Sequence, residues 1–75
     1  MRELVHYIAD WLVEDPDAVR IDERRRGDRV IVQLHVAQED MGRVIGREGR
    51  VATAMRTVLK ASGSIREREV TLEIR

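Results

Sequence analysis

The sequence contains no cysteine, which excludes disulfide bonds and any thiolate-ligated metal site among its 75 residues. Aromatic residues are also scarce, because phenylalanine is absent and only Tyr7 and Trp11 occur. No apolar run is long enough to cross a bilayer, and acidic residues interrupt the apolar pattern near the N-terminus, so we expect neither a membrane span nor a signal peptide. These absences predict a cytoplasmic protein in which an aliphatic core holds one domain over residues 1–75.

Charge is balanced in total but unevenly distributed along the chain. Fourteen basic and fourteen acidic side chains give a formal charge of zero. Residues 1–23 contain two basic and seven acidic side chains, a net of −5, and residues 24–75 contain twelve and seven, a net of +5. The basic part could form a positive surface for a polyanion, although the same charges are compatible with a solvated surface.

Five apolar residues at spacings of three and four predict an amphipathic helix over residues 2–14. They are Leu4, Val5, Ile8, Trp11 and Leu12. The pair Asp15–Pro16 ends this helix, because the residue before a proline avoids the helical region and proline has no N–H group. We expect Trp11 to lie in the core with this apolar stripe, and Tyr7 to flank the stripe and be exposed.

Alternating apolar and polar residues predict two strands that form a hairpin. The first is short and covers residues 19–22, and the second covers residues 30–36 with four apolar side chains on one face. Between them the segment "RRRGDR" supplies a turn at Gly27 and Asp28. We expect Arg24–Arg26 to be part of a solvated turn, although these arginines could contact a phosphate.

The second half of the chain predicts two helices and a strand. A very short helix spans residues 41–45, and a second amphipathic helix begins near Val51 and ends around Ser62–Gly63. The apolar face of this second helix is expected to contain Val51, Met55, Val58, Leu59 and Ser62, opposite a face with Thr53, Arg56 and Lys60. A polar connection leads to an alternating strand over residues 70–75.

The resulting order, α-β-β-α-α-β, predicts an α+β fold with two layers. Three strands offer one apolar face, and three amphipathic helices can cover it. The last strand follows a helical crossover, which favours a parallel neighbour and therefore a mixed sheet.

Two glycines interrupt the helical pattern in the segment "VIGREG", residues 44–49. Each glycine inside a helix would cost about 1 kcal/mol relative to alanine, so this spacing favours a turn. One interpretation is that Gly46 and Gly49 merely turn the chain between two helices. The other is a phosphate-binding loop, because glycine lets the main chain approach a ligand and the next helix presents free N–H groups there. Several basic residues surround or follow the loop: Arg43, Arg47, Arg50, Arg56 and Lys60.

The string "VIGREGRV" resembles the signature of KH domains, in which a GXXG loop holds the backbone of about four single-stranded nucleotides. The element order resembles the type II KH fold over essentially the whole chain, and the chain is similar to the KhpA family of small bacterial RNA-binding proteins. The resemblance implies an RNA-chaperone or post-transcriptional regulatory role. It implies an RNA-binding site at Arg43, Val44, Ile45, Gly46, Arg47, Glu48, Gly49, Arg50, Arg56 and Lys60.

Within that site, the resemblance implies distinct roles for the residues. Gly46 and Gly49 would admit the phosphodiester backbone, and Arg47 would contact a phosphate. Arg43 and Arg50 would add contacts from the flanking turns, and Val44 with Ile45 would form an apolar floor or underlying core. The carboxylate of Glu48 departs from the family pattern, in which lysine or arginine is common, and it would repel a phosphate. The connection over residues 63–68 corresponds to the variable loop that borders the KH groove.

The loop and the following helix have no aromatic side chain on which a base could stack, which predicts modest affinity and little sequence preference. We therefore expect a second module, either a homodimer or a heterodimer with a KH protein of the KhpB/Jag kind, to raise the affinity. Because no residue is an evident reader of the 2′-hydroxyl group, the sequence also leaves single-stranded DNA open as a ligand.

Two alternatives to RNA binding remain. One is a KH-like module whose main role is dimerisation or docking on another protein. The other is a ribosome-assembly factor like ribosome-binding factor A, although that family replaces the GXXG loop with a different break between the helices. An enzyme is not expected, since the sequence has no cysteine nucleophile, no spacing that suggests a Ser-His-acid triad and no P-loop. No metal or cofactor is expected either, because His6 and His35 have no third ligand at a suggestive spacing.

Overall fold

The computed structural model describes residues 2–75 and has the element order that the sequence predicts. The helices are α1 (Arg2–Leu12), α2 (Met41–Ile45) and α3 (Arg50–Ile65), and the strands are β1 (Arg20–Arg26), β2 (Arg29–His35) and β3 (Glu69–Ile74). Short 3-10 turns lie at Pro16–Ala18, Gln38–Asp40 and Arg47–Gly49. No helix within residues 2–75 combines the length and the apolar character that crossing a membrane requires.

The three strands form one mixed sheet in the order β1-β2-β3. β1 and β2 are antiparallel, with Ile21 opposite Leu34, whereas β2 and β3 are parallel, with Val32 opposite Leu72. The α+β prediction with a three-stranded mixed sheet is therefore confirmed. The register is fixed by alternation, because a shift of one residue would move every apolar side chain of β2 to the other face.

The helices cover one face of the sheet, and the core between the two layers is aliphatic. The buried apolar side chains come from all six helices and strands: Val5, Ala9, Ile21, Val30, Val32, Leu34, Val44, Ala52, Met55, Leu59, Val70 and Leu72. No aromatic residue belongs to this set. The uncovered face is polar and includes a hydrogen bond at 3.2 Å from Gln33 Nε2 to Glu73 Oε1, between β2 and β3.

The hairpin differs from the prediction in the length of its first strand. β1 continues to Arg26, and the turn itself contains only Gly27 and Asp28. The predicted strand over residues 19–22 was too short, because the main chain of a charged segment can still pair with β2 when its side chains point into solvent. The φ angle of Gly27 is +58°, which suits the first position of a two-residue hairpin loop.

The helix α3 also extends beyond its predicted end. Gly63 lies inside the helix, which continues to Ile65. An added Cβ at Gly63 would lie 2.6 Å from the carbonyl oxygen of Arg68 and 2.6 Å from Val70 Cγ2. Gly63 therefore allows α3 to approach β3 closely, and it does not end the helix. The prediction that the helix stops around Ser62–Gly63 was wrong by two or three residues.

Two apolar residues that were expected in the core lie on the surface. Trp11 is 79% exposed, and Val58 is 46% exposed. The buried residues of α1 are Val5 and Ala9. Trp11 follows Ala9 by two residues, and at about 100° per residue its side chain is rotated about 200° around the helix axis from that of Ala9. The expectation for Trp11 was therefore wrong, while the expected exposure of Tyr7 is confirmed at 55%.

Candidate nucleic-acid interface

The short helix α2 is held in place by Asp40, a carboxylate that is only 2% exposed. The main-chain N–H groups of Glu14 and Asp15 donate to its Oδ1 and Oδ2 atoms, each at 3.1 Å. The guanidinium of Arg43 pairs with the Glu14 carboxylate and lies 3.8 Å from Asp40 Oδ1. Asp40 and Arg43 thus fasten the start of α2, the helix that leads into the loop, to the chain that follows α1.

Gly46 ends α2 with a conformation that other residues do not adopt. Its φ of 78° and ψ of 173° lie in a region that is essentially restricted to glycine. An added Cβ would collide with the Val51 side chain and would lie 2.9 Å from the Val51 main-chain nitrogen. The absence of a side chain at Gly46 therefore permits internal packing between the loop and the first turn of α3.

Gly49 differs from Gly46 because the space around it is open. It adopts a left-handed conformation with φ 73° and ψ 15°, and no atom lies within 4 Å of an added Cβ. Glu48 is left-handed as well, at φ 55° and ψ 26°, which is unfavourable for a residue with a side chain. The regular helix α3 begins immediately afterwards, at Arg50. The outer surface of the loop is therefore bare main chain on the side of Gly49.

The charged side chains of the loop are all exposed to solvent. Arg47 forms no ion pair with another residue of the described range 2–75. Glu48 Oε2 lies 3.7 Å from Arg50 Nη2, and both side chains are about three-quarters exposed, so this pair contributes little to stability. The Glu48 carboxylate thus points into solvent, and Arg47 is available to a ligand.

A groove of about 760 Å³ lies between α3 and β3. Its helical wall presents Arg56, Lys60 and Ser64, and its other wall consists of residues 67–72. The Nε atom of Arg56 donates a hydrogen bond at 3.3 Å to the carbonyl oxygen of Leu72. The groove therefore has cations on one wall and the main chain of a strand on the other.

β3 is an edge strand, and half of its main-chain groups face the groove. The N–H groups of Glu69 and Arg75 donate to Asp28 and Leu34, at 2.9 and 2.8 Å, so odd-numbered residues of β3 bond toward β2. Because the main-chain direction alternates along a strand, the N–H and C=O groups of Val70, Leu72 and Ile74 point the other way. These groups form an edge beside α3 that no other strand within residues 2–75 pairs with, and the Leu72 carbonyl oxygen accepts the hydrogen bond from Arg56.

Comparison with known proteins agrees with this geometry. The family model of the KhpA/KhpB KH domain matches residues 2–74. The chain belongs to the KhpA/KhpB family of KH domains. The protein named RNA-binding protein KhpA from Caldanaerobacter subterraneus subsp. tengcongensis is 47% identical over 74 residues, which cover 99% of both chains. The proteins of the same name from Clostridium perfringens and Treponema pallidum are 45% and 44% identical, covering 99% and 96% of this chain and 99% and 90% of their own.

As a KH domain, this chain places the predicted site residues in two adjoining parts, the glycine loop and the groove along α3. Gly46–Arg50 form the loop and the start of α3, and Arg56 and Lys60 lie on the groove wall. Ile45 is 38% exposed, whereas Val44 is fully buried and therefore belongs to the underlying core.

The sequence indicated that the connection after α3 and the strand that follows it border the groove, but it did not indicate which of their side chains line it. Ser64, Val70 and Leu72 line the groove because a crossover helix packs against the parallel strand that it leads to. The predicted parallel pairing of β3 with a neighbouring strand was the signal from which these lining residues could have been found. Within residues 2–75, no three histidine or acidic side chains are grouped closely enough to hold a metal ion.

Proposed function

We propose that this protein binds single-stranded RNA in the groove between α3 and β3, with the Gly46–Gly49 loop holding the phosphate backbone. The observation that carries the proposal is a groove with Arg56 and Lys60 on one wall and the outer edge of β3 on the other, along the helix α3 that begins at the open Gly46–Gly49 loop. The names of its relatives support the same function. We infer a cytoplasmic, non-enzymatic protein that acts as an RNA chaperone or post-transcriptional regulator.

The loop offers two sources of positive potential to a phosphate. One is the exposed guanidinium of Arg47, and the other is the N-terminal end of α3, where no side chain caps the free N–H groups. Arg50 lies at the same place. Arg43 is already engaged with Glu14, so it contributes to the orientation of α2 more directly than to RNA contact.

The strand edge offers hydrogen-bonding groups to the bases. Main-chain N–H and C=O groups of Val70 and Leu72 can pair with base edges, once Arg56 releases the Leu72 carbonyl oxygen. Arg56 and Lys60 would then approach the phosphate backbone. Because none of these groups is specific for a 2′-hydroxyl, single-stranded DNA would bind in the same groove.

The test is fluorescence anisotropy with labelled single-stranded RNA and the variant Arg47→Asp/Glu48→Asp. This variant keeps both glycines, reverses the charge at position 47 and changes the net charge of the loop by −2. A matched control, Arg2→Asp, makes the same net change of charge on an exposed residue of α1. We expect the loop variant to lose about tenfold or more in affinity, since hydrogen bonds to charged groups contribute about 1.5–3 kcal/mol, and the control to bind like the wild type.

Salt dependence gives a second readout. The slope of the logarithm of the RNA association constant against the logarithm of salt concentration should approach about −0.7 for each phosphate that the protein neutralises. It should be shallower in the loop variant. Circular dichroism must show that both variants are folded. Equal binding by a folded loop variant, or no binding by the wild type, would refute the proposed site. A titration with DNA of the same sequence tests the ligand class.

A second candidate function, association with another KH protein, is supported by one surface. Tyr7 and Trp11 lie exposed on α1 with ring centroids 6.4 Å apart, and Leu4, Ile8 and Leu12 border them. An exposed apolar patch of this kind is typical of interaction sites. The partner we propose is a second copy of the chain or a protein of the KhpB/Jag kind, and binding there would leave the RNA groove open.

A further inference from the structure

The tip of the β1–β2 hairpin presents a cluster of arginines that the RNA groove does not include. Because directly opposite residues share a face, and alternate residues do so along a strand, Arg24, Arg26 and Arg29 project from the same face of the hairpin. The three side chains are exposed. We call these three residues the arginine cluster.

The two-residue turn forces part of the arginine cluster into an unfavourable arrangement. Arg26 is directly opposite Arg29, and opposed residues of an antiparallel pair have Cβ atoms about 4.5–5.5 Å apart, where like charges destabilise the pair. Within residues 2–75, Arg24 and Arg26 form no ion pair. Arg29 Nη2 lies 3.8 Å from Glu69 Oε2, but both side chains are more than half exposed, so solvent weakens this contact. An added anion would relieve the repulsion.

A phosphate group suits this arrangement better than a single carboxylate does. Arginine presents a planar set of donors that matches phosphate oxygens in pairs, and two guanidinium groups at close spacing can flank one phosphate. The backbone of the turn keeps the Cβ atoms of Arg26 and Arg29 close together before any ligand arrives, which lowers the ordering that binding requires.

The arginine cluster lies at the end of the groove that is far from the glycine loop. The Glu69 N–H group donates to the Asp28 carbonyl oxygen at 2.9 Å, so the hairpin turn contacts the first residue of β3. Arg68, which precedes that residue, lines the groove. The loop lies at the opposite end of α3, a helix of 16 residues and therefore about 24 Å long. A strand that follows the groove away from the loop reaches the turn at residues 66–68 and then the hairpin.

We propose that the arginine cluster is a second phosphate-binding site, which holds the backbone of single-stranded RNA that continues past the groove. This inference rests on the proposed function, because it takes the groove as the place where the RNA is first held. KH domains hold about four nucleotides, so only a longer RNA reaches the arginine cluster. The contribution of the arginine cluster therefore depends on the length of the RNA.

The test compares a 5-nucleotide and a 15-nucleotide oligouridine, lengths of about one and about four KH footprints, by fluorescence anisotropy. The variant Arg24→Gln/Arg26→Gln removes two charges from the arginine cluster. The control Arg2→Gln/Arg20→Gln removes two charges from exposed residues outside it, one of them at the other end of β1. We expect the variant to lose about five- to tenfold in affinity for the longer RNA and to bind the shorter one within about twofold of the wild type. Its salt slope for the longer RNA should be shallower by about 0.7–1.4, the value for one to two phosphates.

Each other outcome overturns the inference. Unchanged binding of the longer RNA would show that the arginine cluster is only a solvated turn. An equal loss for both lengths would place it within the groove site, and an equal loss in the control would show a general effect of net charge. Urea unfolding must give both variants a midpoint no lower than that of the wild type, so that a loss of binding is not a loss of folding; relief of the Arg26–Arg29 repulsion would raise it for Arg24→Gln/Arg26→Gln.

The loop variant Arg47→Asp/Glu48→Asp separates this inference from the proposed function. If it weakens both lengths while the Arg24→Gln/Arg26→Gln variant leaves the longer RNA unaffected, the proposed function stands and the inference fails. If the loop variant binds both lengths like the wild type while the Arg24→Gln/Arg26→Gln variant loses the longer RNA, the proposed function fails and the phosphate site at the hairpin remains. If the wild type binds neither RNA, both fail.

Discussion

Charged side chains serve different purposes in two regions of the molecule. Where α1 meets α2, charged groups bind one another and the main chain: Asp40 accepts two N–H groups, and Arg43 pairs with Glu14. Along the loop and α3, Arg47 and Lys60 form no ion pair with other residues in the range 2–75. A formal charge of zero therefore conceals a division, in which acidic groups help to hold the fold and several cations remain available for an anion.

The two glycines of the loop differ in a similar way, since Gly46 serves internal packing and Gly49 faces open space. This difference predicts the largest effect on stability. Gly46→Ala would combine a glycine-only conformation with a collision against Val51, so we expect a loss of about 3 kcal/mol or more in the free energy of unfolding. Gly49→Ala would add only left-handed strain, about 1–2 kcal/mol, because the space around it is open. Urea denaturation followed by circular dichroism measures both.

The relative order of the two variants is the decisive result. If Gly49→Ala destabilised the fold as much as Gly46→Ala, the distinction between an inward and an outward glycine would be wrong. RNA binding by the folded Gly49→Ala variant adds a further comparison, since its methyl group would stand where a phosphate is proposed to approach.

The sequence predicted the element order because periodicity and glycine breaks are local signals. The alternation in β2 and the break at Gly46 each depend on a few neighbouring residues, and both appear in the structure. Side-chain surroundings were less predictable. Trp11 lies beyond the edge of the apolar stripe of α1, and a helical pattern alone does not locate the edge of a buried face to within one residue.

Contacts between distant segments were not predictable from the sequence. Asp40 accepts hydrogen bonds from residues 25 and 26 positions earlier, and no local pattern marks such a carboxylate. The same contact engages Arg43, which the sequence suggested for RNA binding. The Gly46–Gly49 loop could be located beforehand, but the outer edge of β3 required knowledge of which strands are neighbours.

The next effect in size concerns Asp40, and it tests whether this carboxylate holds α2. Asp40→Ala would leave the N–H groups of Glu14 and Asp15 without their acceptor, so we expect a loss of about 2–3 kcal/mol in the free energy of unfolding. The control is Glu39→Ala, which removes an exposed carboxylate from the neighbouring position and should change stability by less than about 0.5 kcal/mol.

Chemical-shift changes extend this test from stability to the loop. If Asp40 orients α2, amide signals of residues 41–50 should shift in a folded Asp40→Asn variant, while those of the β1–β2 turn should not. The same loss of stability for Glu39→Ala and Asp40→Ala would contradict the division described above, because it would attribute the effect to net charge and not to specific contacts.

The smallest effect on stability is expected for Trp11, an apolar side chain that lies outside the core. Because its side chain is 79% exposed, Trp11→Ala should change the free energy of unfolding by no more than about 0.5 kcal/mol, whereas a buried tryptophan would contribute about 3–5 kcal/mol. The residue is the only tryptophan in the chain, so its fluorescence reports on α1 alone.

If α1 is an association surface, the emission of Trp11 should shift to shorter wavelength as protein concentration rises or as a KhpB-like partner is added. Sedimentation velocity should then show weaker association for Trp11→Ala than for Val58→Ala, which removes a smaller exposed apolar surface from α3. A constant emission spectrum together with equal sedimentation of the two variants would refute the proposal that α1 is an association surface. Since α1 lies outside the groove between α3 and β3, RNA affinity of the monomer should be the same in both variants, which separates association from RNA binding.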